Sequence, residues 1–155
     1  MQIIGFVVVF TLAHALAYTI AGVIALQISK DIYEGKKRLC TFLNDMSDET
    51  ERAHVQRWFL PAQLLRGALM AIVLLPILSA LQQLSTLLLF LFFVMLMFVY
   101  THVSSASPFI DNIEGQVYFR KEYVMKQALV KFQLEMIIYA TIFSVMMTIA
   151  IRMIL

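Results

Sequence analysis

Apolar residues run along this chain in four long blocks, separated by two polar stretches and one very short break. A helix needs about 20 apolar residues to cross about 30 Å of hydrocarbon. Four segments meet that length: residues 3–27, 60–81, 85–104 and 133–154. Their pattern predicts an all-α fold, a polytopic membrane protein built as a four-transmembrane-helix bundle. Leu81-Gln82-Gln83-Leu84-Ser85 leaves room only for a tight turn, so the second and third spans are expected to form an outer hairpin. One integral membrane domain over residues 1–155 accounts for the whole chain.

The polar stretches are expected to be ordered. Ser47-Asp48-Glu49-Thr50-Glu51 reads as a helix start, with acids where the helix dipole favours them. That helix would run through His54 and Trp58 into the second span, with Pro61 kinking the junction. In the other stretch, Ser107-Pro108-Phe109 and Asn112-Ile113-Glu114-Gly115 read as turns. From Val117 to Phe132, apolar residues alternate with charges at roughly helical spacing, which predicts an interfacial helix entering the fourth span.

Composition supports a lipid-facing exterior: 61% of residues are hydrophobic and 14% charged, far from a soluble domain. Charge position adds orientation. Lys30, Lys36, Lys37, Arg38, Arg52 and Arg57 occupy the first polar stretch, and Arg120, Lys121, Lys126 and Lys131 the second. The positive-inside rule then places both large loops in the cytoplasm and both termini outside, with a plasma membrane preferred to an organelle. MQIIGFVVVF has no basic start and its apolar run continues too far for a signal peptide, so a retained helix is expected. A net charge of +2 gives no reason to expect nucleic acid. The single cysteine, Cys40, excludes an intrachain disulfide.

Charged residues inside spans mark candidate sites, because lipid offers them no partner. Arg66, Glu135 and His102 fall in one layer near the cytoplasmic ends of three spans, with Gln63, Gln133 and Tyr139 at similar depth. They define a candidate ligand-binding pocket opening to the cytoplasm. Arg66 would meet an anionic group or pair with Glu135, and Glu135 and His102 would be proton partners. The structural alternative is an Arg–Glu pair that fixes helix register. Below this layer, residues 104–118 are expected to fold back as a cover shaped by Pro108, Asn112 and Gly115. Phe109, Ile113 and Tyr118 would anchor it, and Asp111 or Glu114 could reach Arg66. The rival is a segment lying in the headgroups.

Thr11, His14 and Tyr18 form a narrow polar face on the first span, the kind of face that packs against another helix. A haem or a quinone at His14 is a further option, but no second histidine lies at its depth. No other cofactor is expected. No spacing resembles a zinc site, and the ten methionines form no ladder within a span for copper. GxSxG and HExxH signatures are absent, so no catalytic residue is assigned.

Four spans at this length resemble the membrane-associated glutathione-metabolism enzymes, a trimeric family. That resemblance implies an arginine-rich cytoplasmic glutathione site. LCTFLNDMSDETERAHVQRW, residues 39–58, departs from that family's Arg/Asn/Glu pattern, and the turn between spans two and three is tighter. The residues favour a non-enzymatic membrane protein that binds a lipid or small amphipathic ligand, or a membrane subunit of a larger complex. The rivals are an oligomeric transporter or channel, needing a homo-oligomer to enclose a pathway, and a small enzyme using Glu135 and His102.

Overall fold

The computed structural model describes residues 2–153, and every described element is helical. Residues 1, 154 and 155, included in the expected single domain and, for 154, in the fourth span, lie outside the described residues. The helices are α1 (Gln2–Ile28), α2 (Lys30–Tyr33), α3 (Glu49–Leu74), α4 (Leu78–Gln83), α5 (Thr86–Val94), α6 (Ile113–Tyr118) and α7 (Lys126–Met153). Four helical stretches, Ile3–Ile28, Glu49–Gln83, Thr86–Val103 and Lys126–Met153, are long and apolar enough to cross a membrane. Large apolar side chains such as Ile4, Leu12, Leu65, Val73, Leu87 and Ile149 cover their outward faces.

Phe6, Phe10, Ala13, Ala17, Ala21 and Ala25 recur every three or four residues on the buried face of α1. The alanines let neighbours come close, and α1 packs against both α3 and α7. α1 and α3 come close at Gly67 of α3, where an added Cβ would sit 3.0 Å from the Thr11 Cα. On its other side α7 packs against α5, but α3 and α5 do not approach closely. The bundle order is therefore α3–α1–α7–α5, with its weakest side between the second and third spans. Phe10, Phe93 and Phe143 interlock edge to face near the centre, with Phe10 and Phe143 4.9 Å apart.

Local sequence explains the helix ends. Asp48 caps α3 by accepting hydrogen bonds from the backbone N–H groups of Thr50 and Glu51, at 3.0 and 2.9 Å. The helix then continues through Pro61 to Leu74 without interruption. The break comes instead at Pro76, where Leu75–Ile77 form a 3-10 turn before α4. Only Leu84 and Ser85 separate α4 from α5. Arg152, at the far end of α7, donates to the Gln82 carbonyl at 3.1 Å and also to that of Leu84. It ties this turn down as well as reaching the surface.

The third span changes its winding. After Val94 the chain follows a π-helix over Met95–Val103, which the apolar pattern gave no reason to expect. Extra residues per turn rotate the residues that follow, and such segments often lie at functional sites. The expected helix beginning near Val117 is also different. The Phe119 N–H closes α6 on the Gly115 carbonyl, and a turn from Arg120 to Tyr123 precedes α7. Three consecutive charged residues, Arg120, Lys121 and Glu122, occupy that turn.

Both polar stretches pack under the same end of the bundle. Ile32 and Cys40 from the first, Ile110 from the second, and Ala128 and Phe132 of α7 form a second small core. The first stretch winds around Arg38, whose guanidinium donates to Asp45 at 3.1 Å and to the Leu43 carbonyl at 2.6 Å. Hydrogen bonds from the Ser47 hydroxyl and the Gly35 and Ser47 N–H groups, with Arg38 beside it, hold the Asp45 carboxyl down to about 2. Gly35 makes the turn possible with φ +90°. Asp31 and Lys131 form an ion pair that joins α2 to α7.

Candidate functional site

The sequence places six polar residues in one layer, and the structure divides them. His14, Gln63 and Tyr139 meet in the packed interior. The His14 ring is fully buried, with Nδ1 2.6 Å from the Tyr139 hydroxyl and Nε2 3.1 Å from the Gln63 carbonyl oxygen. A neutral ring with its hydrogen on Nε2 satisfies both contacts: Nε2–H donates to Gln63, and Nδ1 accepts from Tyr139. The Tyr139 oxygen also lies 3.3 Å from the Met97 sulfur. Sequence reasoning set His14 apart from this layer, because depth alone does not show which helices face one another. Both ring nitrogens are occupied, so a haem or quinone at His14 would have to displace Gln63 or Tyr139. Thr11 bonds back to the Val7 carbonyl at 2.7 Å, and Tyr18 lies on the same side of α1 as Arg66.

Arg66, His102 and Glu135 border a cavity of about 460 Å³, which Gln133 does not line; that volume is within the usual size of a small-molecule pocket. Tyr18 and Arg66 line it from α1 and α3, Thr101 and His102 from the π-helix, and Phe132, Glu135 and Met136 from α7. Tyr33 and Leu43 come from the first polar stretch, and Ser105, Pro108, Phe109, Asp111 and Asn112 from the second. Tyr33 had no sequence signal, since nothing local shows that Lys30–Tyr33 turns back under α7.

Arg66 and Glu135 do not pair. The Tyr33 hydroxyl donates to Glu135 Oε2 at 2.7 Å, while Oε1 is buried without a hydrogen bond. Burial and the neighbouring Glu135 push the Tyr33 hydroxyl far above its ordinary range. Among the described residues Arg66 makes no hydrogen bond or ion pair, and its guanidinium carbon lies 5.8 Å from the centre of the Tyr18 ring. A cycle of Arg66→Gln and Glu135→Gln, read by unfolding in detergent, is therefore expected to be additive within about 0.5 kcal/mol. A larger coupling would mean that the two charges approach each other in the membrane.

Residues 105–112 pass beneath the cavity. Asn112 organises them: its Oδ1 accepts from the Gly115 and Phe109 N–H groups at 2.8 and 3.1 Å, and its Nδ2 donates to the Ser107 carbonyl at 2.7 Å. Ile110 is the buried apolar anchor, whereas Ile113 and Tyr118, the expected anchors, are 57% and 72% exposed. Phe109 is partly exposed but stands edge-on to Phe42 and Phe132. Glu114 does not line the cavity and is not paired with Arg66. The Gln133 amide donates to the Asp111 carbonyl at 2.5 Å, tying this segment to α7.

Asp111 is only 6% exposed, and its carboxylate faces His102, whose Nε2 is 3.7 Å away. Burial pushes the Asp111 carboxyl above the ordinary carboxylate range, and the nearby His102 opposes that rise. Among the described residues, no group of three or more His, Cys, Asp and Glu side chains is placed to hold a metal ion. No protein-family model matches the chain, and neither a curated protein nor a solved structure matches it.

Proposed function

We propose that this chain is a non-enzymatic integral membrane protein whose polar pocket faces the cytoplasm and binds a lipid or small amphipathic molecule. Arg66 carries the reading. It lies in a helix apolar enough to span a membrane, it borders the cavity, and it has no counter-ion among the described residues. A charge at that depth is costly unless something pairs with it. The Tyr18 ring supplies only part of that, about 0.5–2 kcal/mol. An anionic group on a bound amphiphile would supply the rest.

In this reading both large loops lie in the cytoplasm and both termini outside, as the lysine and arginine distribution favours. The α4–α5 turn is then an outer hairpin, and α2 and α6 sit at the inner interface. Orientation is testable by labelling. A cysteine at Gln83 should react with an impermeant maleimide from outside, and one at Lys37 only from inside. Cys40 should stay silent from both sides, being 1% exposed with its thiol pushed up by burial. The opposite labelling pattern would turn the pocket to the other face.

Ligand binding is tested by purification from native membranes and mass spectrometry. The native protein should retain an amphiphile that Arg66→Gln loses. A native protein that retains no amphiphile but carries other subunits would favour a structural place in a complex.

A further inference from the structure

The pocket contains charges of both signs that the described residues compensate only in part. Arg66 has no hydrogen-bonded partner on one side. On the other, Asp111 is more than nine-tenths buried and borders the same cavity, and its neighbour His102 holds Nε2 3.7 Å away, beyond hydrogen-bond distance. Glu135 borders the cavity as well and is only half served by Tyr33.

A purely anionic ligand would satisfy Arg66 but face two carboxylates. A purely cationic ligand would leave the arginine alone within the span. A molecule carrying both charges answers both walls. Its cationic end should also donate hydrogen bonds, since Glu135 Oε1 is buried without one. A primary ammonium does so with three N–H groups, and a quaternary one with none.

The route favours a lipid over a dissolved molecule. Residues 105–112 line the cavity at the loop end, while Arg66 borders it from a helix apolar enough to span a membrane. In the proposed placement, access past that helix is from the bilayer.

We propose that the pocket takes the headgroup of an aminophospholipid, with its phosphate on Arg66, its ammonium on Asp111 and Glu135, and its chains leaving between the second and third spans. This rests on the amphiphile-binding reading above and narrows its ligand.

The test uses the delipidated full-length protein in detergent, titrated separately with phosphatidylethanolamine, phosphatidylcholine, phosphatidylglycerol and free phosphoethanolamine, and read by native mass spectrometry. Phosphatidylethanolamine should bind about tenfold or more tightly than the other three, the scale of one charge-assisted hydrogen-bonded contact. Arg66→Gln should weaken it about 10- to 100-fold, and Arg66→Lys less. Asp111→Asn, which keeps the shape of the side chain, should abolish the preference over phosphatidylglycerol.

Several outcomes overturn the proposal. Tighter Arg66-dependent binding of phosphatidylglycerol would do so while leaving the amphiphile reading intact, as would equal binding of phosphatidylcholine. Free phosphoethanolamine binding as well as the lipid would replace the bilayer source with an aqueous one. Failure of all four probes, with the fold retained by circular dichroism, would sink the inference. Failure of the native-membrane purification as well would sink the broader reading.

Discussion

Gly115→Ala is expected to unmake the segment beneath the cavity while the spans stay folded. A Cβ at residue 115 would lie 1.4 Å from the Phe109 carbonyl oxygen and 2.3 Å from its carbonyl carbon. Both are backbone atoms, so no side-chain rotation relieves the clash. Either α6 or the Phe109 peptide must move, and Asn112 holds both through the same oxygen. Moving them apart also disturbs the Asn112–Ser107 bond and the seat of Ile110 in the small core. Overpacking typically costs about 1–3 kcal/mol where neighbours can adjust, and here they cannot, so about 3 kcal/mol or more of local order should be lost. Hydrogen exchange reads this directly: amides of 109–118 should lose protection, while those of α1 and α7 keep theirs. Asn112→Ala should act in the same direction but less, by about 1–2 kcal/mol. Unchanged protection in Gly115→Ala would mean that this segment does not hold this conformation in the bilayer.

Phe109 and Ile110 show why the segment was only partly legible. Turn residues and interleaved apolar side chains marked 104–118 as more than a free linker. They could not show which apolar residues turn inward, because the irregular chain between Val103 and Ile113 has no period to read. Ile110 took the buried place, and Ile113, first residue of α6, points away. The spans were easier, since a run of about 20 apolar residues has few other uses. Asp48 followed the same logic at short range: an acceptor side chain before a helix has one strong local role.

Depth was legible, but rotation about the helix axis was not. Arg66, His102 and Glu135 could be placed by counting residues and do border one cavity, but His14, counted to a separate depth, meets Gln63 and Tyr139 of that layer. A helix that is apolar on nearly every side carries little information about which side faces in. That is why Arg66 was expected against Glu135 and instead lies over Tyr18. The π-helix compounds the problem, because it shifts the facing of Thr101 and His102 without any marker in MLMFVYTHV. Pro61 and Pro76 make a similar contrast. Both are helix breakers in principle, yet only the second ends an α-helix here.

His14→Ala is expected to be the most damaging single change inside the bundle, at about 4 kcal/mol. Two effects contribute, and their sizes decide the design of the test. The fully buried ring packs edge-on against Tyr139, with centroids 5.6 Å apart, and lies near Phe143. Truncation leaves a void there, and large-to-small core changes cost about 2–5 kcal/mol. It also strands the Tyr139 hydroxyl and the Gln63 oxygen. Side-chain hydrogen bonds between membrane helices average only about 0.6 kcal/mol, with a maximum near 1.7. Packing should therefore dominate. His14→Leu, which fills most of the space without the nitrogens, should recover more than half of the loss, and Tyr139→Phe should cost about 1 kcal/mol. Combining His14→Leu with Tyr139→Phe should cost less than the sum of the two, by about 0.6–1.7 kcal/mol. Reversible unfolding in mixed micelles can measure all four proteins. If His14→Leu proves as harmful as His14→Ala, polarity and not packing holds α1, α3 and α7 together at this level. If the cycle is additive, the 2.6 Å contact between His14 and Tyr139 adds nothing beyond the fit of the two rings.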